Sequence, residues 1–142
     1  MSFAAEIEAF ANKSKANMSL VTRKVMMDIG AHLVERSPVG DASYWIHRPP
    51  PGYVGGRFRG NWQYGFNTAP PGDLPSIDPT GSASLARVAA CVGSPGIHYI
   101  VNGLPYARRL EEGWSRQAPQ GMVELTRIDF ENIVDIAVQG VK

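Results

Sequence analysis

The sequence has one cysteine, Cys91, and three histidines, His32, His47 and His98, so an internal disulfide is excluded and no C-x-x-C or H-x-x-x-H ligand spacing occurs. Cys91 stands in an apolar run and is expected as a buried thiol acting as a small hydrophobe. Net charge is nearly absent as well. Fourteen Lys and Arg against thirteen Asp and Glu leave +1, a field too weak to argue for nucleic acid or an anionic membrane, so any basic contact has to be local. No window approaches the ~18 consecutive apolar residues of a membrane span. Glu6 and Glu8 stand where a signal peptide is basic, which places synthesis in a cytoplasm. Catalytic patterns are missing too. There is no G-x-S-x-G, and Gly52, Gly55 and Gly56 lie beside prolines instead of opening a helix as a phosphate loop does. Glu111 and Glu112 are adjacent, so on a helix they point about 100° apart and not at one substrate. These absences argue against an enzyme, and no metal or cofactor is expected.

What remains is 142 residues, enough for one domain with a real core and extended arms. Charged residues make up 19%, below the usual ~25%, while 15 Gly and 11 Pro imply long irregular segments. From Ser2 to Arg36 there is no proline. Phe3, Ile7 and Phe10, then Met18, Val21, Val25, Ile29 and Leu33, recur at steps of three and four, which predicts one helix or two in succession. Ser2 caps its start, Ser37-Pro38 stops it, and the polar stretch Asn12 to Asn17 is where a break is expected. Unbroken, it would be roughly 50 Å long, more than a domain of this size covers by itself.

Pro49, Pro50 and Pro51 impose an extended path without backbone donors, so the stretch around them is an arm or long loop. Its aromatic residues Tyr44, Trp45 and Tyr53 argue against disorder and for an arm that orders against a partner. Trp62, Tyr64 and Phe66 alternate with Asn61, Gln63 and Gly65, the pattern of a strand with one buried face that needs an antiparallel partner. Arg57, Arg59 and Trp62 in GGRFRGNWQY also have a composition that single-stranded nucleic-acid binders use, with the structural reading preferred. Ser82 to Val92 reads as a small-residue helix capped by Ser82 or Ser84. His98 to Val101 is a short strand followed by the turn signal Asn102-Gly103. Leu104 to Trp114 reads as a short helix and Met122 to Val138 as a C-terminal helix with Val123, Ile128, Phe130, Ile133, Val134 and Ala137 largely on one side. The sum is an α+β fold: a small antiparallel sheet packed by a long N-terminal and a C-terminal helix.

The stretch Asn102 to Val123, NGLPYARRLEEGWSRQAPQGMV, resembles the signature N-x-LPYA-x-x-LE-x-GWS-x-QAP-x-GMV of bacteriophage tail-completion or neck proteins. Ser37 to Asp41, SPVGD, followed by GRFRGNWQ at Gly56 to Gln63, resembles a second family segment split by an insertion at about residues 42–55. The resemblance covers nearly the whole chain as a single domain, 1–142. It implies a structural virion subunit at the head-tail junction that forms a ring with itself, commonly sixfold. Its neighbours would be head-connector and tail-tube proteins, with transient passage of DNA through the ring. Tail terminator, head-side connector and minor tail component stay open. Within the motif, Tyr106, Leu110 and Trp114 fall at i, i+4 and i+8 and are expected to anchor the short helix in the core. Subunit contacts are expected from Arg57, Arg59, Trp62, Arg108, Arg109, Glu111 and Glu112, and arm contacts from Tyr44, Trp45 and Tyr53.

Overall fold

A computed structural model describes residues 2–40, 51 and 54–141. The arm residues Tyr44, Trp45 and Tyr53 lie outside the described residues.

The first element is one helix, α1, Phe3–Arg36, 34 residues long. Ser2 Oγ accepts a hydrogen bond from the Ala5 amide at its start, and the extended Ser37 ends it, as the Ser-Pro pair requires. The break expected at Asn12 to Asn17 does not occur. That stretch holds no glycine or proline, and its Lys13, Lys15 and Ala16 favour the helix, so Asn12, Ser14 and Asn17 do not interrupt it. A 3-10 turn, Arg59–Asn61, leads into β1, Trp62–Phe66. Helix α2 is Ser82–Ala89, strand β2 is His98–Asn102 and helix α3 is Ala107–Glu111. The C-terminal helix is two short ones, α4 Val123–Ile128 and α5 Phe130–Gln139, which meet at Asp129.

The two strands pair antiparallel with Trp62 opposite Asn102 and Phe66 opposite His98. A two-stranded ribbon is marginal alone, and α2 completes it. Ser84 Oγ accepts from the Trp62 amide at 3.2 Å and donates to the Arg59 carbonyl at 2.7 Å. Arg87 donates to the Trp62 and Gly60 carbonyls. Ser84, expected as a helix cap, is therefore buried at the start of the strand. The capping of α2 falls to Asp78, whose carboxylate accepts from the Ala83 amide at 2.6 Å and from Thr80 Oγ1 at 2.7 Å. Gly81, in the left-handed region at φ 78°, turns the chain between them.

The core is Leu33 and Val34 of α1, Phe58, Trp62, Leu104, Ala118 and Met122, with Ile29, Ile100, Ala107 and Leu110 packed on its margin. Gly30 lets α1 and α2 approach closely: a Cβ there would stand 2.8 Å from Val88 Cγ1. Helices α4 and α5 pack against the same half of α1. There Arg36 binds Asp129 at 2.5 Å and Thr126 Oγ1 at 3.2 Å. Ile133 and Ala137 are buried, but Val123, Ile128 and Phe130 are exposed: the bend at Asp129 takes Val123 and Ile128 off the face of α5, and Phe130 stands at the first position of that helix. Cys91 is buried. No described helix is long and apolar enough to cross a membrane.

Candidate assembly surface

The motif from Asn102 to Val123 folds as a closed unit. Asn102 Nδ2 donates to the Phe58 carbonyl at 2.8 Å and so fixes the end of β2; the chain then runs into α3 and does not return as a hairpin. Glu111, at the end of α3, reaches across to α4. Its Oε2 accepts from the amides of Met122 at 2.8 Å and Val123 at 2.9 Å, and its Oε1 from Glu124 at 2.9 Å. Three amides that α4 leaves without helical partners are satisfied by one carboxylate, which also suits the positive end of the helix dipole. Gly121, at φ 80°, makes the approach possible, since a Cβ there would collide with Glu111. Gly113, at φ 90°, passes equally close to the Pro119 carbonyl. Gln117 fastens the unit to the exit of α1, accepting from the Val39 amide at 2.9 Å and donating to its carbonyl at 2.7 Å.

Several residues expected at a subunit contact are used inside the chain instead. Trp62 is 3% exposed, and its indole Nε1 donates to Ser37 Oγ at 2.7 Å. Ser37 in turn donates to the Leu33 carbonyl. Trp62 thus belongs to the core and to the end of α1. Arg59 donates to the Ser37 carbonyl at 2.7 Å and to the Pro79 carbonyl at 2.9 Å. It caps α1 by satisfying a carbonyl at the helix exit. Glu111 is engaged by α4. Arg57 pairs with Asp73 at 2.7 Å with half its side chain still in water. The trio nominated for nucleic acid, Arg57, Arg59 and Trp62, therefore does not form an open surface.

The motif's aromatic residues also depart from expectation. Leu110 packs at the margin of the core, but Tyr106 is 36% exposed and only edges it, its ring 6.4 Å from that of Phe58 between centroids. Trp114, however, is 70% exposed. Helix α3 ends at Glu111, and the left-handed Gly113 swings the next residue outward, so the i+8 position never faces the core. The Arg109 guanidinium lies 5.2 Å from the Trp114 ring centroid, a cation–π arrangement worth less than about 1 kcal/mol at an exposed site. Arg108 pairs with Glu112 at 3.3 Å along the helix surface. Arg116 is exposed and joins no ion pair among the described residues. Around this Arg109–Trp114 contact, Arg108, Arg109, Trp114 and Arg116 are all exposed within nine residues of chain, and in that stretch Glu112 is the one exposed acid.

A second uncovered surface lies on α1. Its buried residues, Met26, Gly30, Leu33 and Val34, all fall in the C-terminal part. Phe3, Ile7, Phe10 and Met18 are 77%, 52%, 73% and 67% exposed.

Other polar groups are structural. Asp129 is held below the ordinary carboxylate pKa chiefly by the hydrogen bond from Arg36, with His32 a smaller contribution. Burial lowers the pKa of Arg87 from the ordinary arginine value, partly opposed by Asp78. Among the described residues no three His, Cys, Asp or Glu side chains gather closely enough to hold a metal ion. A cleft of about 580 Å³ runs between Val39, Val54, Phe58, Ile77, Tyr106 and Leu110. Its border includes Gly40 and Pro51, which flank the residues outside the description.

No protein-family model, curated protein or solved structure matches the chain.

Proposed function

We propose that this chain is a structural subunit of a bacteriophage particle, assembling with copies of itself into a ring, of six subunits on the family pattern, at the junction of head and tail. Its neighbours in the particle are head-connector and tail-tube proteins, and DNA passes through the ring. The observation that carries the reading is α1. From Phe3 to Met18 it exposes two phenylalanines, an isoleucine and a methionine and buries nothing. A helix of that length is marginal in water without a partner, and a contiguous apolar stripe on a small protein marks a contact surface. The motif resemblance at Asn102 to Val123 supplies the kind of assembly. The closed Glu111–α4 unit supports that use of the motif, because it builds a rigid platform and leaves Arg109 and Trp114 facing outward.

Imaging of particles assembled without this protein tests the reading. Finished heads accumulating apart from finished tails support a joining role, and overlong tails support termination. Normal infectious particles overturn it.

A further inference from the structure

We infer that the first three turns of α1 dock, head to tail, on the Arg109–Trp114 patch of a second copy of this chain. The inference deepens the ring reading above and rests on it.

Phe3, Ile7 and Phe10 fall within about 60° of one another around the helix at ~100° per residue, so they form one apolar stripe. Glu6 borders that stripe about 40° beyond Phe10, while Glu8 lies about 100° beyond Ile7 toward the other side; both are exposed and neither joins an ion pair among the described residues. The basic residues Lys13 and Lys15 come only after it. The patch is complementary in both respects: an exposed Trp114 ring for the phenylalanines, and the exposed Arg109 and Arg116 for the acidic first turns, with Glu6 at the edge of the stripe. Glu112 opposes this charge match, but it is already paired with Arg108. Aromatic rings and arginines are also the side chains that most often dominate protein contacts.

The two surfaces lie at opposite ends of the subunit. Gln117 binds Val39, three residues beyond the end of α1, so the patch sits at the C-terminal end of that helix. From Glu6 to Arg36 the helix rises about 45 Å at ~1.5 Å per residue, and one chain cannot bring its own stripe to its own patch. The contact joins two different surfaces and is therefore heterologous, the type that closes into a ring or runs on as a filament. A pair of subunits makes it once, whereas in a closed ring every subunit takes part in two such contacts, one through each surface. Aromatic side chains bury about 150–250 Å² each, so one such contact is smaller than the ~800 Å² per partner of a stable pair. Rings without an abundant dimer are the expected species.

The test uses the full chain and its native mass across a concentration series. Glu6→Lys with Glu8→Lys in one variant, and Arg109→Glu with Arg116→Glu in another, should each weaken assembly by ~10-fold or more, through like charges brought face to face. All four changes in one chain should restore most of it. Phe10→Cys and Trp114→Cys chains, mixed under mild oxidation, should give a disulfide-linked dimer that neither gives alone. None of these positions is buried, so unfolding curves should match the parent and report that the fold is intact. Assembly unaffected by either charge reversal, no rescue on combination, no mixed disulfide, or a chain that stays monomeric throughout each overturns the docking. A docking failure leaves the neck reading to particle imaging. Normal particles without the protein would remove the neck reading while a positive cross-link still stood.

Discussion

The two halves of α1 share one unbroken backbone and little else. From Ser19, whose backbone lies against Gly93, to Arg36, the helix is scaffold: Met26, Gly30, Leu33 and Val34 are buried, and Arg36, Ser37 and Arg59 tie its exit to α4, β1 and the loop before α2. From Phe3 to Met18 nothing is buried. At ~100° per residue the four buried positions centre on the side roughly opposite Phe3, Ile7 and Phe10. Lengthening the body along its present contact would therefore never cover the N-terminal stripe. A covering surface has to come from another direction, which is a physical reason to look for it on another molecule.

The anchored half is where substitution should cost most. Trp62→Ala removes the largest ring of the core together with its edge-on contact to Phe58, 5.7 Å between centroids, and its hydrogen bond to Ser37. A loss of about 3–5 kcal/mol is expected, read as a lower urea midpoint. A loss under ~1 kcal/mol would mean that the anchored half is held elsewhere.

Next in size is the motif's internal clamp. Glu111→Ala leaves three α4 amides without their acceptor, a capping loss of about 1–2 kcal/mol. Glu111→Gln retains one acceptor oxygen and should recover part of it. If both variants unfold with the parent, the carboxylate does not hold α4 and the motif's rigidity has another source.

The anchored parts were more legible in the sequence than the reasons behind them. Alternation at Trp62, Tyr64 and Phe66, the apolar steps of α1 and the Ser37-Pro38 stop each express a local rule, and the strand, helix and helix end all stand where those rules put them. Ser84, Arg59 and Glu111 act across long stretches of chain, on Trp62, Ser37 and Met122. Periodicity carries no record of such pairings. Trp114 shows the same limit from the other side. Its i+8 spacing from Tyr106 holds only while the helix continues, and α3 ends at Glu111, with the left-handed Gly113 turning the chain just before Trp114. The unbroken α1 is the reverse case, since a polar composition at Asn12 to Asn17 is not by itself a breaking signal.

A smaller effect separates α2 from its environment by pH. Asp78 lies below its ordinary pKa of 3.8 chiefly through the hydrogen bond from the Ala83 amide, then that from Thr80. A carboxyl with a lowered folded pKa contributes stability that is complete above the unfolded value and lost as pH falls through the folded one. Unfolding midpoints should therefore drop as pH falls below about 4, and Asp78→Asn should flatten part of that slope while lowering stability at neutral pH. Because Asp78 is only half-buried, solvent screening keeps the change modest. An unchanged slope in the Asn variant would assign the acid sensitivity to another group, with Asp129, lowered by Arg36, the next to test.

The smallest change in stability is expected where the apolar residues are largest and least covered. Phe3→Ala and Phe10→Ala remove two rings that touch no core residue and replace them with the best helix former. The isolated subunit should unfold within ~0.5 kcal/mol of the parent, as surface substitutions do, with equal or greater helix content by circular dichroism. Assembly should suffer far more, by ~10-fold or greater in the concentration for half-assembly, because the rings' only apolar partner would be the neighbour's Trp114 surface. Set beside Trp62→Ala, the pair gives a sharp contrast: one aromatic residue whose loss destabilises the fold, and two whose loss leaves the chain folded but single. Should Phe10→Ala destabilise the monomer as Trp62→Ala does, the N-terminal half of α1 is covered by its own chain and the division between the two halves fails.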